Sequence, residues 1–254
     1  MADAIRVQGL RKVFHRRGAA PVNALGGLSF TVPGGHIFGL LGPNGAGKTT
    51  TLRILTTLIR PMAGSAEVAG VDVVRDPLGV RHRIVVVTQE SAAEIFLSVR
   101  DNLLTFARFH GLRGPALRGR VDDVMEKFAL TADASRKAMD LSGGFRRRIQ
   151  VAKAMLVDTP VMFLDEFSTG MDPILKRSVM DLLRGEARRG RTIVLTTQIL
   201  SEAESLCDDI LIINHGREIV RGDVATIKAL SATHNATLED VFVELMQQQT
   251  EDGA

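Results

Sequence analysis

The chain has 254 residues, enough for one large domain or two small ones with a substantial buried core. Its 32 Lys and Arg against 29 Asp and Glu leave a net charge of only +3, and there is no Trp or Tyr to build a base-stacking platform, so nucleic acid is not expected as a partner. One cysteine, Cys207, excludes an internal disulfide and suits a reducing compartment, and its place in an apolar-periodic helix predicts a buried structural role. The N-terminus lacks a signal-peptide layout, and no apolar run approaches the ~18 residues of a membrane span. A soluble cytoplasmic chain is expected, with any role at a membrane coming through a partner.

Residues Ile5 to Leu10 alternate like a strand and lead to Arg11-Lys12-Val13-Phe14. A polar loop from His15 to Pro21 follows, then further strand from Val22 to Val32 before the turn Pro33-Gly34-Gly35. Phe14 reads either as a core residue or as a flat face for a nucleobase, and its residue type alone favours the core. The short apolar run His36 to Leu41 reads as a buried strand. Directly after it, Gly42-Pro43-Asn44-Gly45-Ala46-Gly47-Lys48-Thr49-Thr50 fits G-x-x-x-x-G-K-[ST], the phosphate-binding loop. Leu52, Leu55 and Leu58/Ile59 then repeat at helical spacing, which predicts a helix over Thr51 to Ile59 halted by Pro61. Strand, glycine loop and helix in that order line up backbone N–H groups at a helix N-terminus, where phosphate is favoured. Lys48 is placed to reach the β- and γ-phosphates, and the Thr49 hydroxyl to ligate Mg²⁺. A nucleoside triphosphate is the expected ligand.

Gly64 to Gly70 holds a short strand, and Ile84-Val85-Val86-Val87 is a β-branched run typical of a central parallel strand. It ends in Thr88-Gln89-Glu90, polar groups at the carboxyl end of a strand, where ligands sit in open α/β sheets. From about Ser98 to Leu156 the texture becomes helical, with helices over Val99 to His110, Val121 to Leu130 and Phe145 to Leu156. Arg146-Arg147-Arg148, the densest basic run, reads as a solvated helix face. Alternation then resumes: strand Val161 to Leu164 ending in Asp165-Glu166, helix Pro173 to Arg189, strand Thr192 to Thr196, helix Ile199 to Cys207, strand Ile210 to Ile213. Strands alternating with helices imply a mainly parallel sheet covered on both faces. After a polar linker, Ser231 to Thr237, the stretch Leu238 to Met246 reads as an amphipathic helix whose last residues should fray.

An apolar strand ending in Asp-Glu is the usual companion of a phosphate-binding loop. Asp165 can hold the Mg²⁺ shell and Glu166 can orient a water near the γ-phosphate; read alone, the pair could equally be a strand-end cap. Phosphoryl transfer needs little else, since charge neutralisation and positioning supply most of the catalysis. Leu141-Ser142-Gly143-Gly144-Phe145 opens a helix with a serine hydroxyl and glycine N–H groups, a second anion site or a plain N-cap.

Taken together, these residues resemble the ATPase subunits of ABC transporters over nearly the whole chain. The resemblance rests on Gly42 to Thr49, the Q-loop glutamine Gln89, the signature Leu141-Ser142-Gly143-Gly144, the strand Val161 to Glu166 and a D-loop ending in Asp172. It implies an α/β P-loop NTPase of the ABC ATPase type: a mainly parallel core sheet, an N-terminal antiparallel β subdomain and an inserted α-helical subdomain. The ATPase domain would span 1–230, the helical subdomain about 92–157, and a C-terminal linker and helix 231–254. It implies that Phe14 stacks on adenine, reversing the preference for core, and that Gln89 joins Thr49 and Asp165 at Mg²⁺. Glu166, Gln89, Gln198 and Lys48 would be catalytic. Two such subunits, identical or related, would meet head to tail, with Ser142, Gly143 and Gly144 of one completing the ATP site of the other. A separate integral membrane subunit would contact the junction at Gln89, placing this chain on the inner face of the cell membrane.

The segment Asp76 to Leu112 and the tail Leu238-Glu239-Asp240-Val241-Phe242 look most like the drug-export (daunorubicin-resistance-type, ABC-2) branch. A non-transport ABC ATPase or a slow regulatory nucleotide-binding module are the alternatives. Three departures from the family pattern stand out. Gln198 occupies the place of the switch histidine, Phe167 that of a proline, and Phe145 that of a polar signature residue. Gln198 can donate an amide hydrogen bond but cannot carry a positive charge, so slow hydrolysis is the expectation; the milder alternative is that Gln replaces His without loss because Glu166 dominates.

Overall fold

The computed structural model describes residues 2–15, 18, 20–88, 93–231, 233 and 236–251. In chain order these form β1 (Asp3–Phe14), β2 (Val22–Pro33), β3 (Ile37–Leu41), α1 (Lys48–Leu55), β4 (Ala63–Val68), β5 (Val71–Asp72), α2 (Pro77–Arg81) and β6 (Ile84–Val87). There follow α3 (Val99–Phe109), α4 (Ala116–Lys127), α5 (Gly143–Ala154), β7 (Val161–Asp165), α6 (Pro173–Arg188) and β8 (Thr192–Thr196). The last are α7 (Leu200–Leu206), β9 (Asp209–Asn214), β10 (Arg217–Gly222), α8 (Val224–Lys228) and α9 (Leu238–Glu251).

Two sheets result: an antiparallel one of order β2-β1-β4-β5 and a six-stranded one of order β10-β9-β3-β8-β7-β6. In the second, β6, β7, β8, β3 and β9 run parallel and β10 closes one edge antiparallel to β9. Strand alternation explains the near-continuous apolar runs. Leu41, Val87, Met162, Leu164, Ile193, Leu195 and Ile212 face a core shared with α3 to α7. Their neighbours Phe38, Leu40, Ile84, Phe163, Val194 and Leu211 face a second core shared with α1 and the antiparallel sheet. Both faces of the central parallel strands are buried, so their interiors are almost wholly apolar and polar groups such as Thr192, Asp165 and Thr196 fall at the strand ends. Phe30 stacks on Phe38 with ring centroids 5.4 Å apart, joining the two sheets.

Cys207 is buried, and a side chain at Gly39 would reach within 2.8 Å of its Sγ. Burial, then the nearby Asp208, pushes the thiol well above its ordinary range, so the structural reading holds. Helix α9 follows the expected amphipathic pattern: Leu238 and Val241 are buried against α7 and α8. The frayed end expected beyond it lies outside the described residues.

Several expectations need correcting. The helix after the phosphate loop stops at Leu55, not Ile59; Thr57 takes φ 63°, and Leu58 is 62% exposed. A left-handed residue ends a helix whatever the apolar spacing beyond it. The run Ile84–Val87 forms the edge of its sheet, not the centre. It reads as a central strand because helices cover both its faces. Nor is Arg146-Arg147-Arg148 a solvated face. Arg147 is 8% exposed and donates to the Thr88 carbonyl and, at 2.9 Å, to Gln150 Oε1. Arg148 lies 3.5 Å from Asp172 and stacks on Phe145, its guanidinium 4.7 Å from the ring centroid.

Arg191 is a buried cation, 7% exposed. Its Nη2 donates to the carbonyls of Ala154 and Val157 and to Thr159 Oγ1, and its Nη1 lies 3.3 Å from Glu186. Burial pulls its pKa down, opposed chiefly by Glu186. Arg191→Ala strands these acceptors, so a loss of about 3 kcal/mol is expected in denaturant melts.

Candidate functional site

The carboxyl ends of β3, β8 and β7, neighbours in the sheet, deliver the loop 42–47, the segment 197–198 and the pair Asp165-Glu166 to one place. There a cavity of about 260 Å³ is lined by Phe14, Val22, Ala24, Asn44, Gly45, Ala46, Gly47, Lys48, Thr49, Thr50, Asp165, Glu166 and Gln198. A second, of about 220 Å³, shares Thr49 and Asp165 with it and runs toward Arg53 and Thr88.

The loop's shape needs its glycines at Gly42 and Gly47. Gly42 takes φ 152° and a Cβ there would overlap the Ile213 carbonyl; Gly47 takes φ 110° and a Cβ there would lie 2.6 Å from the Ala24 carbonyl. Gly47 sits at the N-cap position of α1 with no side-chain cap, which leaves the helix's first N–H groups to a ligand. Lys48 donates from Nζ to the Gly42 carbonyl at 2.6 Å and to that of Pro43 at 3.0 Å. Burial lowers its pKa, while Glu166 and then Asp165 pull it back.

Asp165 is buried and accepts from Thr196 Oγ1, which fixes its carboxylate at the end of β7. Glu166 follows in the left-handed region, φ 50°, with its N–H held 3.0 Å from the Thr196 carbonyl. That turn swings its side chain out of the strand direction toward Gln198. Gln198 Nε2 donates to Glu166 Oε1 at 2.6 Å and to Asn44 Oδ1 at 3.0 Å, tying the phosphate loop to the carboxylate. Among the described residues no cluster of three His, Cys, Asp or Glu could hold a metal unaided. Thr49 and Asp165 together offer a hydroxyl and a carboxylate, the oxygen donors Mg²⁺ takes when phosphates complete its shell.

Phe14 joins neither core and lines the cavity mouth with Lys12 Nζ 5.5 Å from its ring centroid. The preference for core drawn from its residue type therefore fails. Gln89 lies outside the described residues. Ser142, Gly143 and Gly144 stand apart and line none of that cavity. Ser142 is the N-cap of α5, accepting from Phe145 N at 3.2 Å, and Gly144 packs on Gly170. Asp172 caps α6, accepting from Leu175 N at 2.9 Å. Phe167, in the place of a proline, is wholly buried in the larger core. Sequence reasoning passed over Glu202. Its hydrogen bonds to Ser168 and Thr197 lie behind the site, and no motif signalled a buried carboxylate there.

The family model described as ABC transporter matches residues 25–169. The doxorubicin resistance ATP-binding protein DrrA of Mycobacterium tuberculosis is 42% identical over 249 residues, covering 98% of this chain and 72% of the relative. The Nod factor export ATP-binding protein I of Burkholderia pseudomallei is 44% identical over 196 residues, covering 77% of this chain and 64% of that one. A solved ATP-binding subunit of an ABC transporter superposes with a TM-score of 0.85 at 26% identity, over 96% of this chain and 99% of that one. With the phosphate loop, the carboxylate pair and the signature serine in the places described, the chain belongs to the ABC transporter family, as an ATP-binding and ATP-hydrolysing subunit.

Proposed function

We propose that this chain powers an exporter: ATP joins two subunits head to tail, hydrolysis parts them, and a separate membrane subunit moves with each cycle. One observation carries the reading: loops from three adjacent parallel strands bring Lys48, Glu166 and Gln198 to a single cavity. Relatives named for doxorubicin resistance and Nod factor export support the export direction. No helix among the described residues is long and apolar enough to cross a membrane; in this reading the membrane subunit is a separate chain, with this one held peripherally on the inner face. We read 1–230 as the ATPase domain, with the helical subdomain at about 92–157, and 231–254 as an appended segment.

In this reading Phe14 stacks on adenine, and the backbone N–H groups of the loop Gly42 to Thr50, Pro43 excepted, hold the phosphates with the Lys48 ammonium. Thr49 and Asp165, with Gln89, would hold Mg²⁺, which would supply charge neutralisation there. Glu166 orients the attacking water. Ser142, Gly143 and Gly144 serve the γ-phosphate of the second subunit. The test is Mg²⁺-dependent ATPase activity together with co-purification of a multi-span membrane protein; absence of both would sink the proposal.

Gln198 sets the pace. Its neutral amide holds Glu166 through a 2.6 Å hydrogen bond but cannot gain charge as the γ-phosphate departs. Gln198→His is expected to raise turnover about three- to tenfold, roughly 1 kcal/mol of transition-state charge stabilisation. Turnover unchanged or lowered in a phosphate-release assay would rule this out.

A further inference from the structure

Behind the nucleotide cavity lies a buried polar junction. Glu202, in the first turn of α7, is 2% exposed. Its Oε1 accepts from Ser168 Oγ at 2.6 Å and pairs with Lys176 Nζ of α6; its Oε2 accepts from Thr197 Oγ1 at 3.1 Å. Ser168 and Thr197 are themselves 4% and 3% exposed. The Thr197 hydroxyl also accepts from Ile199 N at 3.0 Å, which shapes the turn into α7.

The chain positions of these partners give the junction its meaning. Ser168 lies two residues after Glu166 and four before Asp172, in the loop that packs Gly170 against Gly144 at the start of α5. Thr197 immediately precedes Gln198. Carboxylate burial is costly unless each oxygen is satisfied, and here both are, by hydroxyls from the two loops and by an ammonium. A neutral amide of the same shape offers one acceptor oxygen instead of two. Its other end would donate instead of accept, and it would leave Lys176 without a counter-charge.

We infer that Glu202 is a positioning residue for hydrolysis: one buried carboxylate locks the loop carrying Glu166 to the loop carrying Gln198, and through Gly170 to the start of the signature helix. Glu202 touches no nucleotide; it fixes where Glu166 and Gln198 stand relative to each other. The inference rests on the reading of those two residues as the groups at the γ-phosphate.

The test is a set of near-isosteric variants: Glu202→Gln, Ser168→Ala, Thr197→Val and their pairwise combinations. Each single change should lower kcat about 10- to 100-fold, the scale of a misplaced catalytic group, while ATP affinity stays within about twofold. Double variants should fall no more than about threefold below the worse single one, because all three act through one junction. Ser168→Thr, which keeps the hydroxyl, should retain kcat. Losses that multiply independently, a kcat that tracks melting temperature across the set, or an unchanged kcat would each overturn the inference. If Glu202→Gln fails to fold, the cycle of Ser168→Ala with Thr197→Val decides, since those hydroxyls share Glu202. A collapse in Glu166→Gln with normal kcat in Glu202→Gln sinks this inference alone; equal turnover of Glu166→Gln and wild type sinks the reading beneath it.

Discussion

Glu166→Gln is expected to lower steady-state ATP turnover about 10²- to 10⁴-fold while changing ATP affinity less than about threefold. The amide keeps the volume and can still meet Gln198, so the cavity keeps its shape. On the proposed reading, what disappears is the charge that orients and polarises a water beside the γ-phosphate. Lys48, Thr49 and the loop amides hold ATP on the same reading, and the change keeps them in place while removing one of the two carboxylate charges that act on Lys48. Nucleotide should therefore hold the two subunits together for far longer, visible as a stable dimer in light scattering with ATP and Mg²⁺. Phosphate release separates the outcomes cleanly. A rate equal to wild type would make the chain a nucleotide-binding module whose slow turnover does not pass through Glu166.

Gly144→Ala should cost about 1–3 kcal/mol of stability and, beyond that, at least a tenfold loss of turnover. A Cβ at Gly144 would overlap the Gly170 carbonyl oxygen and come within 2.7 Å of the carbonyl carbon. Both are backbone atoms, so no flexible side chain can move aside. Either α5 shifts at its first turn, displacing Ser142, or the loop after Glu166 shifts. Gly143→Ala provides the contrast for folding: a Cβ there meets nothing within 4 Å. Thermal melts should move for the first variant and hardly at all for the second. Equal melting shifts would mean that the Gly144–Gly170 contact does not hold these elements together.

Much of this site is written locally. Gly42 to Thr49 and Asp165-Glu166 are legible because a glycine at φ 110° or 152°, or a carboxylate closing an apolar strand, is required by the position itself. The parallel sheet is legible for a similar reason: residues buried on both faces leave uninterrupted apolar runs. What escaped depends on distant partners. Strand β10, with Arg217, Glu218 and Arg221, looks like loop until it pairs with β9 and Arg221 meets Asp209 at 2.8 Å. The edge position of β6 follows from strand order, which no single strand encodes. Arg147 looks solvated because an isolated helix says nothing of Thr88, and Glu202 looks like an ordinary first-turn acid until Ser168 and Thr197 close around it. The α1 boundary was missed because one left-handed threonine outweighed a good apolar spacing.

The left-handed backbone at Glu166 has a cost that outlasts any single turnover. A side chain with a Cβ held at φ 50° keeps about 1–3 kcal/mol of strain in the resting molecule. Glycine would relieve that tension and forfeit the carboxylate. Thermal endurance and chemical speed are thus set against each other at one peptide unit, and a heat-adapted descendant would have to gain its tolerance somewhere else in the molecule.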